Sequence, residues 1–162
     1  MNKTFAAAFA IGIAVIAIAV AGVLYMQRDA RVGLAGNILK VRTATLDENS
    51  SVAVVDFRFK NPSYVRFVVR DVTVILEDAT GNRTEGRTIS EIDAQRMFEG
   101  LPILGQKFNK SLVTRDMIPA HAEEDRMVAA RFEFPEAKLD TRKRILLRIE
   151  DVDGPVTEIS EK

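Results

Sequence analysis

His121 is the one histidine in the chain, and it is the first residue to consider for chemistry. Met117 precedes it and Met127 follows it, and two thioethers with an imidazole are soft ligands of the kind that bind copper(I). No Met-rich or His-rich tract accompanies them, and methionine readily fills gaps in protein cores. We therefore expect the two methionines to pack in the core, His121 to lie in a loop, and no metal site to form.

An acidic stretch near the C-terminus, Glu150-Asp151-Val152-Asp153-Gly154, resembles the start of a calcium-binding loop. An EF-hand loop needs further oxygen ligands after its glycine, but here Pro155 follows at once. The stretch is more typical of a strand end with solvated acids. A calcium site assembled from several loops stays open as an alternative.

The basic cluster consists of Arg142, Lys143 and Arg144, with Arg148 on the same strand face as Arg144. No aromatic residue interleaves these side chains, so they do not form the stacking platform that single-stranded nucleic acids bind. We expect them to pair with acids on neighbouring strands, and we expect no nucleic-acid partner.

Composition excludes several classes of function. The chain has 162 residues, 23 basic and 23 acidic side chains, no cysteine and no tryptophan. The lack of cysteine rules out disulfides, thiol catalysis and cysteine-ligated metals. No nucleophile elbow, P-loop or dinucleotide-binding glycine motif is present. We therefore expect a protein that is not an enzyme and that needs no cofactor.

The strongest candidate for a binding feature is the apolar segment Met97–Gly105, which lies between predicted strands. Such a segment either closes the open end of a sandwich or presents a surface to a partner, because monomers seldom expose contiguous apolar patches. The predicted partner-binding residues share large apolar side chains: Met97, Phe98, Leu101, Ile103 and Leu104.

Residues 5–25 carry no charge and are long enough, as a helix, to cross a hydrocarbon core of about 30 Å. We predict an N-terminal transmembrane anchor over residues 1–27, followed by a linker over residues 28–37. Contact with membrane lipid is expected through residues 5–25.

Two questions about this segment stay open. Ala19-Val20-Ala21 fits a signal-peptidase site, so cleavage is an alternative to an uncleaved anchor. Arg28 and Arg31 after the segment favour a cytoplasmic C-terminal domain, whereas a short N-tail before one apolar run favours its export. We predict a single-pass protein of the inner (plasma) membrane whose C-terminal domain lies on the exported side.

Beyond the linker, polarity alternates with the period of two that is typical of strands. The clearest case is 51–60, where Ala53, Val55, Phe57 and Phe59 share one face. We predict an all-β fold over residues 38–156, an antiparallel immunoglobulin-like sandwich of about seven strands, with one short helix from Ser90 to Phe98. Residues 157–162 are predicted to form a C-terminal tail.

A strand that ends in Asn61-Pro62, a second long strand over 72–76, the turn at Gly81 and a return strand over 83–89 that contains Gly86 resemble the late-embryogenesis-abundant type 2 domain. That domain is also called the water-stress and hypersensitive-response domain. The resemblance covers about Leu39 to Phe134, and the Ser90–Phe98 helix departs from it. It implies an immunoglobulin-like fold, often tethered to a membrane, without a catalytic centre.

Together these patterns predict a non-enzymatic, membrane-anchored sandwich that acts as an interaction or scaffold domain with a protein partner. The alternative is an accessory subunit that carries a small ligand, a metal or an apolar molecule to a membrane complex. A cavity between the sheets would favour carriage, and a filled interior would favour the scaffold.

Overall fold

The computed structural model describes residues 3–27 and 33–161, and in the first range it describes the side chains of Phe9 and of residues 11–25. Two compact units follow the same division. Residues 28–32, which belong to the predicted linker, lie outside the described part. The elements in chain order are α1 (Lys3–Gln27), β1 (Ala35–Asp47), β2 (Ser50–Lys60), β3 (Phe67–Glu77), β4 (Arg83–Glu85), β5 (Arg87–Thr88), α2 (Glu91–Gly100), a 3₁₀ helix (Pro102–Leu104), β6 (Met117–Ile118), β7 (Glu123–Phe132), α3 (Glu136–Asp140), β8 (Arg144–Asp151) and β9 (Val156–Ser160).

Helix α1 contains the charge-free stretch. Its large apolar side chains, where described, are 52% to 74% exposed. Within the residues whose side chains are described, no helix is both long enough and apolar enough to cross a membrane.

The first sheet has the strand order β1-β2-β7-β5, and all of its pairs are antiparallel. Strand β2 lies at its centre, and its residues 50–57 are buried on both faces. An apolar strand of this kind needs a covering layer on each side of its sheet.

The second sheet has the order β4-β3-β8-β9, with β6 paired to β3, and its pairs are also antiparallel. The change of parity in the sequence of β3 indicates either a bulge or a strand that bends between two sheets, and the register shift between Val69 and Asp71 shows the bulge. The chain passes from the second sheet to the first at Gly86, between β4 and β5.

The two sheets face each other across one hydrophobic core. Both contribute alternate inward side chains, and the largest of them are excluded from solvent: Phe57, Phe59, Phe132, Leu76, Ile145 and Leu147. The structure thus confirms the predicted fold at the level of antiparallel β-sheets packed as a sandwich, with a few helices.

Several boundaries differ from the sequence-based expectations. The predicted linker reaches residue 37, but β1 already begins at Ala35. The predicted tail from residue 157 is strand β9 instead, because Thr157 and Ile159 point into the sandwich and are buried. The described residues form nine strands where about seven were expected. The return strand after Gly81 is split into β4 and β5, and β6 and β9 are additional, whereas residues 107–114 form no strand.

Two further segments differ from what their sequence patterns indicate. Residues 107–114 alternate in polarity, which indicates a strand, but they make only an isolated bridge, between Ser111 and Met127. The corner after Pro135 contains the short helix α3.

Candidate interaction surface

Helix α2 begins where the sequence predicts, because Ser90 provides its N-cap. The Ser90 Oγ accepts a hydrogen bond from the backbone N–H of Asp93 at 3.2 Å, which satisfies one of the free donors of the first turn. The helix ends at Gly100, where the N–H of Leu101 donates to the carbonyl of Met97 at 2.9 Å. The 3₁₀ helix follows directly.

The apolar face of α2 and the 3₁₀ helix covers the outer face of the first sheet. Ala94, Phe98 and Leu104 are buried there. They form a second, smaller core with side chains of β1, β2 and β7: Ala44, Val52, Val54, Met127 and Ala129. This layer explains why residues 50–57 of β2 are buried on both faces.

A buried ion pair fixes the layer to the sheet. Arg42 of β1 and Asp56 of β2 are each 8% exposed in their side chains, and Nη2 of Arg42 lies 2.7 Å from Oδ2 of Asp56. The other terminal nitrogen of the guanidinium, Nη1, donates to the carbonyls of Leu104 and Gln106 at 2.7 and 2.8 Å. The guanidinium also lies 4.9 Å from the ring centroid of Phe98. One arginine therefore holds both the helix and the segment that follows it.

The segment after the 3₁₀ helix returns to the start of α2. Nζ of Lys107 lies 2.7 Å from Oε1 of Glu91, and the N–H of Ser111 donates to Oε2 of Glu91 at 2.9 Å. Burial acts to raise the pKa of Glu91, but the hydrogen bonds from Lys107 and Ser111 outweigh it and lower that pKa. Asn109 adds a bond of 3.0 Å from Nδ2 to Oδ1 of Asp56.

The predicted partner-binding residues divide into three groups in the structure. Phe98 and Leu104 are buried, Met97 and Leu101 are half-buried against the second core, and Ile103 is 78% exposed. The segment therefore covers the sheet and also leaves an apolar side chain in solvent.

Two exposed apolar residues near this segment were missed by sequence reasoning. Ile92, in the first turn of α2, is 67% exposed, and Phe108 is 73% exposed. Each is adjacent in sequence to one member of the Lys107–Glu91 ion pair. The alternation over 107–114 places Phe108 and Leu112 on one face of a strand, but that strand does not form. We call the exposed set Ile92, Ile103 and Phe108 the α2 surface.

The candidate metal ligands lie in different surroundings. Met127 is buried in the second core as expected, but the expectation that Met117 also packs in the core is wrong, because it is 65% exposed on β6. The ring of His121 packs edge-on against Tyr64, with centroids 4.8 Å apart. Asp151 is buried and accepts from the N–H of Asp153 at 3.0 Å, which stabilises the β8–β9 turn. In the described ranges, no group of three or more His, Asp or Glu side chains is arranged to hold a metal.

Comparisons with protein-family models, with curated proteins and with solved structures find no significant match to this chain.

Proposed function

We propose that this chain is a non-enzymatic, membrane-anchored β-sandwich that acts as an interaction or scaffold domain at the surface of the inner membrane. Its partner is a protein, and the partner binds the α2 surface. The observation that carries the proposal is that Ile92, Ile103 and Phe108 stay exposed on a segment whose backbone is held by buried contacts.

The contacts of Arg42 make this exposure informative. An apolar side chain on a flexible loop can turn away from water. Here Arg42 holds the backbone on either side of Gly105, because it donates hydrogen bonds to the carbonyls of Leu104 and Gln106. Binding to such a fixed surface costs little ordering entropy, which favours affinity. Large apolar side chains on a fixed backbone are also typical of residues that dominate binding energy at protein interfaces.

The sequence of residues 5–25 supports membrane anchoring. The charge-free stretch 5–25 rises about 31 Å as a helix, which matches the thickness of a bilayer core. It is apolar all round, not along one stripe, which is the pattern of a helix surrounded by apolar material. We propose a single pass, with the sandwich on the exported side.

The filled interior of the sandwich favours an interaction domain over a carrier. The aromatic side chains Phe57, Phe59 and Phe132 occupy the space between the sheets and are 0% to 1% exposed. A carrier of a small apolar ligand would need that space to be open.

We also propose the immunoglobulin-like assignment and the relation to the late-embryogenesis-abundant type 2 domain. Two antiparallel sheets around one core support the first. Asn61-Pro62 directly after β2, and the turn at Gly81, support the second.

Site-specific photo-crosslinking in native membranes tests the proposed interface. A crosslinking amino acid replaces Ile103 or Phe108 in the full chain, and the same amino acid at Ala79, exposed in the β3–β4 turn, is the control. We expect one discrete protein adduct from both positions, none from the control, and loss of the adduct when Ile92→Asp is added. Adducts of equal yield from all three positions, or no adduct at all, would contradict the proposal.

A further inference from the structure

The chain enters the sandwich at one of its two ends. In the first sheet, Ala35 pairs with Lys60, and Lys60 pairs with Glu123. In the second sheet, Val69 pairs with Asp151, and Val152 donates to the carbonyl of Val68. We call this the entry end, formed by residues 33–35, 60–70, 115–123 and 151–156.

The entry end has most of the exposed apolar surface at the two ends of the sandwich. Its exposed large apolar residues are Tyr64 (79%), Val65 (47%), Met117 (65%), Val152 (50%) and Val156 (55%). The opposite end, formed by residues 46–50, 77–87 and 132–144, has one such residue in the described part, Leu46 at 37%. The asymmetry marks the entry end as a surface that contacts something apolar.

Hydrogen bonds from a buried side chain hold the exposed loop of the entry end in place. Asn61 is fully buried, and its Nδ2 donates to the carbonyls of Val65 at 2.9 Å and Pro119 at 3.1 Å. These bonds join the loop after β2 to the loop before β7. Tyr64 rests edge-on against His121. The exposure of Tyr64 and Val65 is therefore a fixed feature of the fold.

The entry end has three exposed arginines that can reach phosphate groups, beside one exposed acid, Asp153, that has no ion pair with another described residue. Arg66, Arg70 and Arg115 are exposed, and they form no ion pair with any other described residue. The neighbouring acids Asp116 and Glu123 pair with Arg126 and Arg58. Membrane–water interfaces of proteins combine tyrosine and arginine with aliphatic side chains. The long arginine side chain reaches the lipid headgroups.

The chain enters the sandwich at the entry end, because β1 begins there at Ala35. In the sequence, only residues 26–34 separate the charge-free stretch from this strand. The strands then lead away from the entry end towards the opposite end.

From these observations we infer that the entry end docks on the phospholipid headgroup surface, with Tyr64, Val65 and Met117 inserted among the headgroups. This inference rests on the proposed anchoring by α1. Beyond that anchoring, we infer that one particular end of the sandwich contacts the bilayer. The α2 surface then stays available to a protein partner.

The lack of tryptophan allows a direct test with the full chain. Each variant carries a single tryptophan and is reconstituted in vesicles of phosphatidylcholine with a minor fraction of phosphatidylglycerol. The variants are Tyr64→Trp and Met117→Trp at the entry end, Ala79→Trp at the opposite end, and Tyr25→Trp in α1. Quenching is measured with lipids brominated near the headgroup end of the acyl chain.

We expect quenching and a blue-shifted emission for Tyr25→Trp, Tyr64→Trp and Met117→Trp, and neither effect for Ala79→Trp. Quenching of Tyr25→Trp, with both entry-end variants resembling Ala79→Trp, would overturn the docking and leave the anchoring intact. An unquenched Tyr25→Trp would instead overturn the anchoring. Thermal unfolding of each variant shows that the sandwich is folded, and the two entry-end positions serve as independent checks.

Discussion

Glu77 at the end of β3 lies directly opposite Arg144 at the start of β8, and the Oε2 of Glu77 accepts from Nη2 of Arg144 at 3.0 Å. The Oε1 of Glu77 lies 2.9 Å from Nζ of Lys143, and Nε of Arg83 lies 3.4 Å from Oε2. The Glu77 side chain is 5% exposed, while its three partners are 38% to 54% exposed. Glu77 therefore pairs with two members of the basic cluster, Lys143 and Arg144, and the pairing with Arg144 crosses between strands as expected.

This arrangement predicts a pH-dependent stability. Hydrogen bonds from Lys143 and then Arg144 lower the pKa of Glu77 to about 2. Because an unfolded glutamate titrates near pH 4.3, the pair contributes its full stability above about pH 5 and loses it as the pH falls towards 2. Urea unfolding of the native chain and of Glu77→Gln should show a difference that is constant near neutral pH and shrinks below about pH 4. A difference that stays constant down to the lowest pH would show that ionisation of Glu77 is not its source.

Gly86 predicts a second effect, through packing. A Cβ at this position would lie 2.6 Å from Cζ of Phe132, whose ring is 1% exposed, so the ring would have to move within a filled core. We expect Gly86→Ala to lower the free energy of unfolding by about 1–3 kcal/mol, the usual cost of overpacking. Gly100→Ala is the matched control, because nothing lies within 4 Å of its added Cβ and alanine favours the helix. Equal stabilities of the two variants in urea unfolding would contradict the packing argument.

Much of the sandwich could be predicted because burial in a sheet leaves a period of two in the sequence. That period correctly assigns the inward faces of β2, β7 and β8, and the polar turn around Gly81 has the positive φ of 88° that a tight turn requires. Ser90 likewise predicts the start of α2, because its hydrogen bond is local. These features depend on neighbours in the sequence.

The candidate site was less predictable because its contacts join distant parts of the chain. Alternation assigned Asp56 to the outer face of β2, and an outer face was assumed to be solvated. Val52 and Val54 on that same face were the available signal that a further layer covers it. No local pattern indicates that Arg42 is the partner of Asp56. Over residues 107–114, polar and apolar residues alternate for too short a distance to distinguish a strand from a loop. In the structure, side-chain hydrogen bonds of Lys107 and Asn109 hold this segment.

The Arg42–Asp56 pair predicts a large cost when one partner is removed. Asp56→Ala leaves a guanidinium buried without its counter-charge, and the expected loss is about 3–5 kcal/mol in the free energy of unfolding. Replacing both residues, as in Arg42→Met with Asp56→Leu, should recover much of that loss, because no charge is then left unpaired. Urea unfolding gives each value.

The exposed pair Arg58–Asp125 is the control for this cycle. Its atoms are as close as 2.6 Å, but the side chains are 50% and 36% exposed, so Asp125→Ala should cost less than about 1 kcal/mol. Equal losses for Asp56→Ala and Asp125→Ala would show that burial of Arg42 and Asp56 has no influence on the strength of the pair.

Adjacent residues of the 3₁₀ helix separate the covering role of this segment from its binding role. Leu104 is 1% exposed and Ile103 is 78% exposed. We expect Leu104→Asp to destabilise the domain by about 3 kcal/mol or more, since it places a charge in the second core and removes a buried side chain. Ile103→Asp should change stability by less than about 0.5 kcal/mol, as is usual at exposed positions, and should abolish the adduct formed by the crosslinker at Phe108. Thermal unfolding and crosslink yield, measured on the same preparations, give both values. If Ile103→Asp leaves both the melting temperature and the adduct unchanged, the exposed apolar side chain of Ile103 has no part in binding.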